Sequence, residues 1–165
     1  MKILYTGGQK SGKSRLAEQK AVELASPGLP YYIATYDNSY RDEEMAERLR
    51  VHRQRRSNRF IDTIEEPHNF SEVIIPGNTY LVDCVSMWIL NTLSTDLKLL
   101  EAQIESAAAT QANIVFVINN VGAGIIPPDT ETRLFVDRTG VLGQKIASLC
   151  DEVYEVVFGL SGRLK

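Results

Sequence analysis

Several ingredients are scarce in this chain. Its 165 residues include two cysteines, Cys84 and Cys150, two histidines, His52 and His68, and one tryptophan, Trp88. Two cysteines so far apart make neither a disulfide framework nor a structural zinc site, so reduced thiols in a cytoplasmic protein are expected. No apolar run approaches the roughly 20 residues that span a bilayer, and no membrane segment is expected. The opening Met1-Lys2-Ile3-Leu4-Tyr5 lacks the basic, apolar and small regions of a secretion signal. Positive charge is not in excess either. Eighteen Lys and Arg against 21 Asp and Glu leave a net charge of −3, which argues against a nucleic-acid partner. Internal repeats, low-complexity stretches and linkers are missing too. With 44% hydrophobic residues the length supports one good core, hence a single domain over residues 1–165.

What is present begins at residue 7. Gly7-Gly8-Gln9-Lys10-Ser11-Gly12-Lys13-Ser14 matches G-x-x-x-x-G-K-[ST]. It follows Lys2–Thr6, a short apolar run fit for a strand. It precedes Arg15–Ala25, where Leu16, Ala17, Ala21 and Leu24 recur at helical spacing before Pro27-Gly28. Strand, glycine loop and helix are the context in which backbone N–H groups converge on phosphate oxygens at a helix's positive end. Lys13 then brings a mobile charge to the β- and γ-phosphates, and the Ser14 hydroxyl is placed to ligand Mg²⁺. Gln9, Lys10 and Ser11 vary freely in such loops and carry little information. A bound nucleoside triphosphate is expected.

Further strands are expected at Tyr31–Thr35, Thr79–Asp83, Asn113–Asn119 and Val153–Phe158, whose near-continuous apolar character suits a parallel sheet covered on both faces. Helices are expected around 41–56, 86–93, 96–110 and 131–150. The third of these has Leu97, Leu100, Ile104 and Ala108 on one side. For the last, an apolar face of Leu134, Val141, Leu142, Ile146 and Leu149 stands opposite Arg133, Asp137 and Gln144. The architecture is a three-layer α/β sandwich of the P-loop NTPase (RecA-like) kind around a mainly parallel sheet. Ligands should sit at the carboxyl ends of the strands.

Asp83 closes the run Tyr80-Leu81-Val82. A carboxylate there either helps hold Mg²⁺ or caps the helix that starts near Ser86. In the stretch 42–59, Met45, Leu49 and His52 fall at i, i+4 and i+7, with Arg48, Arg55 and Arg56 around the imidazole. Nearby positive charge would keep His52 neutral and nucleophilic and would hold phosphates; the alternative is a boundary histidine beside a solvated basic face. Gly122 and Gly124 allow close backbone approach to a ligand, or make a plain turn. Trp88 is expected in the core and His68 at the surface.

Taken with the phosphate loop, the segments YIAT at 32–35, EEMAERLRVHRQRR at 43–56, EEP at 65–67, DCVSMWILN at 83–91, NNVGAGIIP at 119–127, RLFVDRTGVLGQKIA at 133–147 and VVFGLSGRLK at the end carry a likeness. They resemble the adenosylcobinamide kinase/adenosylcobinamide-phosphate guanylyltransferase family of cobalamin biosynthesis, in order along essentially the whole chain. The resemblance implies phosphorylation of adenosylcobinamide by ATP or GTP. It also implies transfer of GMP from GTP to adenosylcobinamide phosphate through a guanylylated His52. By the same resemblance Thr35, Arg48, Arg55, Glu65 and Asp83 join Gly7–Ser14 around the nucleotide, Mg²⁺ is the cofactor, and the protein is a homotrimer. Two positions depart from the family pattern. Asn120 stands where N-E-V-G has its glutamate, and Gly143-Gln144 replaces Asn-Gln. The aromatic usual after the arginine pair is here at best Phe60. Two other classes share the phosphate loop: a small-molecule kinase acting by direct transfer, and a nucleotide-binding switch without turnover.

Overall fold

The computed structural model describes residues 1–37, 58–122 and 126–165. The helix expected at 41–56, with Arg48, His52 and Arg55, and Gly124 lie outside the described residues.

Strand β1 (Lys2–Gly7) leads through the glycine loop into helix α1 (Lys13–Ala25), and β2 (Tyr31–Ala34) follows. A short β3 (Thr63–Glu65) and a 3-10 turn at Phe70–Val73 precede β4 (Thr79–Asp83), α2 (Val85–Asn91) and α3 (Leu97–Ala109). Then come β5 (Asn113–Asn119), α4 (Thr130–Leu149), β6 (Glu152–Val157) and β7 (Leu160–Arg163). The strands form one sheet in the order β3-β2-β4-β5-β1-β6-β7. Every pairing is parallel except β6 with β7.

The centre of the sheet follows from residue type. β4 and β5 are buried at every position except their ends, Asp83, Asn113 and Asn119, as strands covered on both faces must be. On one face lie Leu4, Ile33, Tyr80, Val82, Ile114 and Phe116 beneath α2, α3 and α4. On the other, Ile3, Tyr5, Leu81, Val115 and Val117 meet Ala17 and Ala21 of α1. The alanines let that helix approach the sheet closely. Asp96 and Asp129 cap α3 and α4, each accepting a backbone N–H, from Lys98 at 2.8 Å and from Thr132 at 2.7 Å.

Two amphipathic expectations need correction. In α4 the buried residues are Thr139, Leu142 and Ile146, while Leu134, Val141 and Leu149 are exposed. The helical phase is set by Leu142 and Ile146. Thr139 can share their buried face because its hydroxyl donates to the Phe135 carbonyl at 2.7 Å. In α3, Ala107 rather than Ala108 joins Leu100 and Ile104 inside. The last expected strand also ends sooner, at Val157, and Phe158 turns the chain into β7, every residue of which is exposed.

Register makes the site. Gly7 lies opposite Asn119 and Val156 on the neighbouring strands, and Asp83 lies opposite Ala34 and Val117. The carboxyl ends of β1, β2, β4, β5 and β6 therefore share one edge.

Candidate nucleotide-binding site

Between β1 and α1 the chain must reverse within a few residues, and its backbone angles show how. Gly7 (φ +152°) and Gly12 (φ +96°) occupy conformations that side chains rarely adopt. Space adds to this: a Cβ on Gly7 would collide with the Val156 carbonyl oxygen, and one on Gly12 would be crowded, 3.2 Å from Gly159 Cα. The Ser11 N–H donates to the Gly8 carbonyl at 3.2 Å, closing the loop. The Ser11 hydroxyl is buried without a hydrogen-bond partner among the described residues. Helix α1 starts with no side-chain cap and no acidic residue in its first turn. Its positive end is thus left open to an anion.

Lys13 is buried, and its ammonium donates to the Gly8 carbonyl at 3.1 Å. Burial holds its pKa below the ordinary lysine value, against the opposing pull of Asp83 and Cys84. Ser14, the next residue of the helix, points its hydroxyl at Asp83 Oδ1, 3.5 Å away. The other carboxylate oxygen accepts from the Tyr32 hydroxyl at 3.0 Å. Asp83 is not a helix cap: Cys84 occupies that position for α2, with no side-chain cap bond. The Cys84 thiol is pushed up to about 12 by burial first and Asp83 second, so it stays protonated.

Hydrogen bonds tie distant segments to this edge. Thr35 is fully buried, and its hydroxyl donates to the Cys84 carbonyl at 2.7 Å. The Asn91 amide donates to the carbonyls of Thr35, at 2.7 Å, and Pro67, at 3.1 Å. The Glu66 N–H reaches the Ala34 carbonyl at 2.9 Å, with Glu65 exposed beside it at the end of β3. On the other flank, the Asn119 N–H donates to Ser86 Oγ at 2.8 Å and the Asn120 N–H to the Gly7 carbonyl at 3.0 Å. Gly8, Gln9 and Lys10 are exposed at the tip of the loop.

Among the expected residues, Gly7–Ser14 and Asp83 come together directly. Thr35 reaches them through the Cys84 backbone, its hydroxyl proton already committed. Trp88 is core, packed edge-on against Phe70, with its indole N–H on the His68 carbonyl at 2.8 Å; His68 itself is exposed. Phe60 is buried edge-on against Tyr32, its ring centroid 5.5 Å away. It therefore supports the tyrosine that holds Asp83. Sequence reading missed Tyr32, Ser86 and Asn91. Tyr32 lies inside β2 and Ser86 and Asn91 in α2, and nothing local marked them, because their partners lie tens of residues away in the chain. Both departures from the family pattern line one cleft of about 330 Å³ beneath α4, where Asn120, Gly143 and Gln144 share the walls with Thr6, Ile118 and Gly122.

A phosphate loop at the carboxyl end of β1, with a carboxylate ending β4, defines a P-loop nucleotide-binding fold. Solved structures agree on the architecture. The flagellar accessory protein FlaH from Methanocaldococcus jannaschii superposes with a TM-score of 0.53 at 16% identity, covering 99% of this chain and 77% of that one. The ATPase domain of a second solved protein gives a TM-score of 0.50 at 10% identity, covering 93% of this chain and 68% of that one. The sequence profile of the cobinamide kinase/cobinamide phosphate guanyltransferase family matches residues 3–164, and the chain belongs to this family. The bifunctional adenosylcobalamin biosynthesis protein CobP of Pseudomonas aeruginosa is 37% identical over 175 residues, covering all of this chain and 98% of that protein. The corresponding CobU proteins of Escherichia coli K12 and Salmonella typhimurium LT2 are 34% and 32% identical, each covered completely.

Proposed function

We propose that this protein phosphorylates adenosylcobinamide and then guanylylates the product. In the first reaction the substrate hydroxyl attacks the γ-phosphorus of ATP or GTP, loses its proton, and releases the nucleoside diphosphate. In the second, His52 attacks the α-phosphorus of GTP; a nitrogen–phosphorus bond forms and pyrophosphate leaves. The phosphate of adenosylcobinamide phosphate then displaces His52, giving adenosylcobinamide-GDP and the free imidazole. One observation carries the reading: an uncapped helix start, Lys13 and the Ser14–Asp83 pair converge at one edge of a chain matching the family from end to end.

The chain's own groups have defined tasks in this scheme. Amides of Gly8–Ser14 bind the β-phosphate, and Lys13 follows charge onto the leaving phosphates. Arg48 and Arg55 hold phosphate and keep His52 neutral. By the family resemblance Thr35 and Glu65 complete the nucleotide's surroundings on the β2–β3 flank, beyond Asp83. Ser14 and Asp83 supply hard oxygen donors, as Mg²⁺ prefers when substrate phosphates provide most of its shell. The tyrosine hydroxyl on Asp83 keeps one oxygen engaged and leaves the other turned to Ser14. Mg²⁺, when bound there, would offset charge on the transferring phosphates.

No helix among the described residues is long and apolar enough to cross a membrane. A cytoplasmic homotrimer completes the reading, and the exposed Leu134 and Val141 on α4 are available to subunit contacts. The test is incubation with α-labelled GTP and adenosylcobinamide phosphate, following protein-bound label and product together. Label on His52 that chases into adenosylcobinamide-GDP is expected. Product formation without any labelled protein would replace the covalent route by direct transfer.

A further inference from the structure

The turn between β6 and β7 has the wrong residue for its shape. Phe158 (φ 50°) and Gly159 (φ 83°) both lie in the left-handed region, as the centre of a tight hairpin turn requires. Asn, Asp or Gly suits the first of these positions; a bulky aromatic is strained there. Folding recovers nothing from the ring, because Phe158 is 94% exposed. A residue that is both strained and exposed calls for a reason outside the fold.

Its location supplies one. The Gly159 N–H donates to the Ser11 carbonyl at 2.7 Å, and a Cβ on Gly12 would be crowded against Gly159 Cα at 3.2 Å. The turn is thereby fastened to the phosphate loop. Asp83 marks the opposite flank: it ends β4, whereas the turn follows β6, and β1 with its loop runs between them. With Ser14 and Asp83 placed where a metal bridging the β- and γ-phosphates would be held, the α-phosphate and nucleoside of a bound nucleotide would extend away from them, toward β6.

We propose that Phe158 is the stacking platform for the base of the nucleotide held by the phosphate loop, making the Phe158–Gly159 turn a base-binding element of that site. The inference rests on the nucleotide-binding reading above. A flat ring held out by its own backbone loses little freedom on binding, and any purine can stack on it. The turn then couples base to phosphates, since the hydrogen bond to Ser11 fixes the distance between platform and loop.

Calorimetric titration of the full chain with GTP, ATP and inorganic tripolyphosphate tests this in wild type, F158N and F158W. Asparagine suits the turn, so F158N should melt no lower than wild type. Stacking predicts at least about fivefold weaker GTP and ATP binding in F158N. Tripolyphosphate binding should be unchanged, and F158W should recover nucleotide affinity. Unaltered GTP affinity in F158N overturns the proposal, whether or not sedimentation shows that the turn serves subunit contacts. An equal loss for tripolyphosphate also overturns it, because the ring would then act on the loop and not on the base. Should wild type bind neither GTP nor tripolyphosphate, the nucleotide-site reading falls and takes this inference with it.

Discussion

Two lysines bracket strand β1 and its loop, and they are used in opposite ways. Lys2, at the amino end, donates to the carbonyls of Thr110 and Ala112 at 2.7 and 2.8 Å, just past the carboxyl terminus of α3. A cation belongs there, because a helix ends in unsatisfied carbonyls and partial negative charge. Lys13 is buried at the positive end of α1 and shares one hydrogen bond with its own loop. Dipole and desolvation both oppose a cation at that place. Of these two residues of one type, the well-satisfied lysine builds the fold and the poorly satisfied one awaits an anion. The carboxyl edge of the sheet stores chemistry in groups that the fold alone would not choose.

The largest effect expected from that division lies at His52. His52→Ala should abolish protein-bound label from α-labelled GTP, while the kinase step, which needs positioning and charge, largely persists. The wild-type adduct should be acid-labile and base-stable, as a phosphoramidate is. Label that maps elsewhere, or survives in His52→Ala, removes the covalent mechanism.

Next comes Lys13. Lys13→Met should lower both activities at least about a hundredfold, the scale of a lost electrostatic contact of a few kcal/mol in the transition state. Its nucleotide-free stability should match or exceed wild type, since a buried cation at a helix N-terminus is removed. The pH dependence has a definite sign. With its native pKa lowered, Lys13 penalises the folded state at pH values below that pKa. The penalty is relieved as pH rises through the lowered value toward the unfolded one. The stability gap between variant and wild type should therefore narrow in alkaline solution, as denaturant melts at several pH values would show. A Lys13→Met protein that is inactive and also strongly destabilised at neutral pH would erase the contrast between the two lysines.

How much of this edge was legible beforehand depended on sequence distance. Gly7–Ser14 is contiguous, so spacing alone announced it, and apolar runs placed Asp83 and Asn119 at strand ends. The contacts that arm the site were not legible. Tyr32 and Asp83 are 51 residues apart and Thr35 and Cys84 are 49 apart, and only the β2–β4 register brings them together. Edge strands β3 and β7 are short and little buried, so they lack the apolar signal that marked β4 and β5. In α4, counting apolar residues found Leu142 and Ile146 but added the exposed Leu134, Val141 and Leu149, and it passed over the buried Thr139, whose hydroxyl is satisfied within the helix.

A smaller effect should follow from altering the edge without touching its charges. Asn120 is exposed, and its backbone N–H is joined to the Gly7 carbonyl, so a longer side chain fits without disturbing the loop. If a carboxylate at this position assists proton transfer, Asn120→Glu should raise the phosphorylation rate by roughly tenfold or more. Guanylyl transfer to pre-phosphorylated substrate should stay as it was. Separate initial-rate assays of the two steps decide it, and an equal change in both would assign Asn120 to positioning of the loop.

The smallest effect on chemistry belongs to Lys2. Lys2→Met keeps the apolar stem, so the variant isolates the ammonium and its two carbonyl bonds. Those carbonyls are only partly buried, so water can replace some of what is lost, and the cost should be about 1–2 kcal/mol of stability. For a chain of this length that corresponds to a fall in Tm of a few degrees, roughly 2–4 °C per kcal/mol. Turnover per folded molecule and GTP affinity should match wild type, because Lys2 is at the end of β1 opposite the phosphate loop. Initial rates measured well below Tm, together with a thermal melt, separate the two quantities. Lost activity at full stability would mean that the amino end of β1 takes part in the chemistry, and the contrast between Lys2 and Lys13 would fail as a guide to which buried charges matter for function.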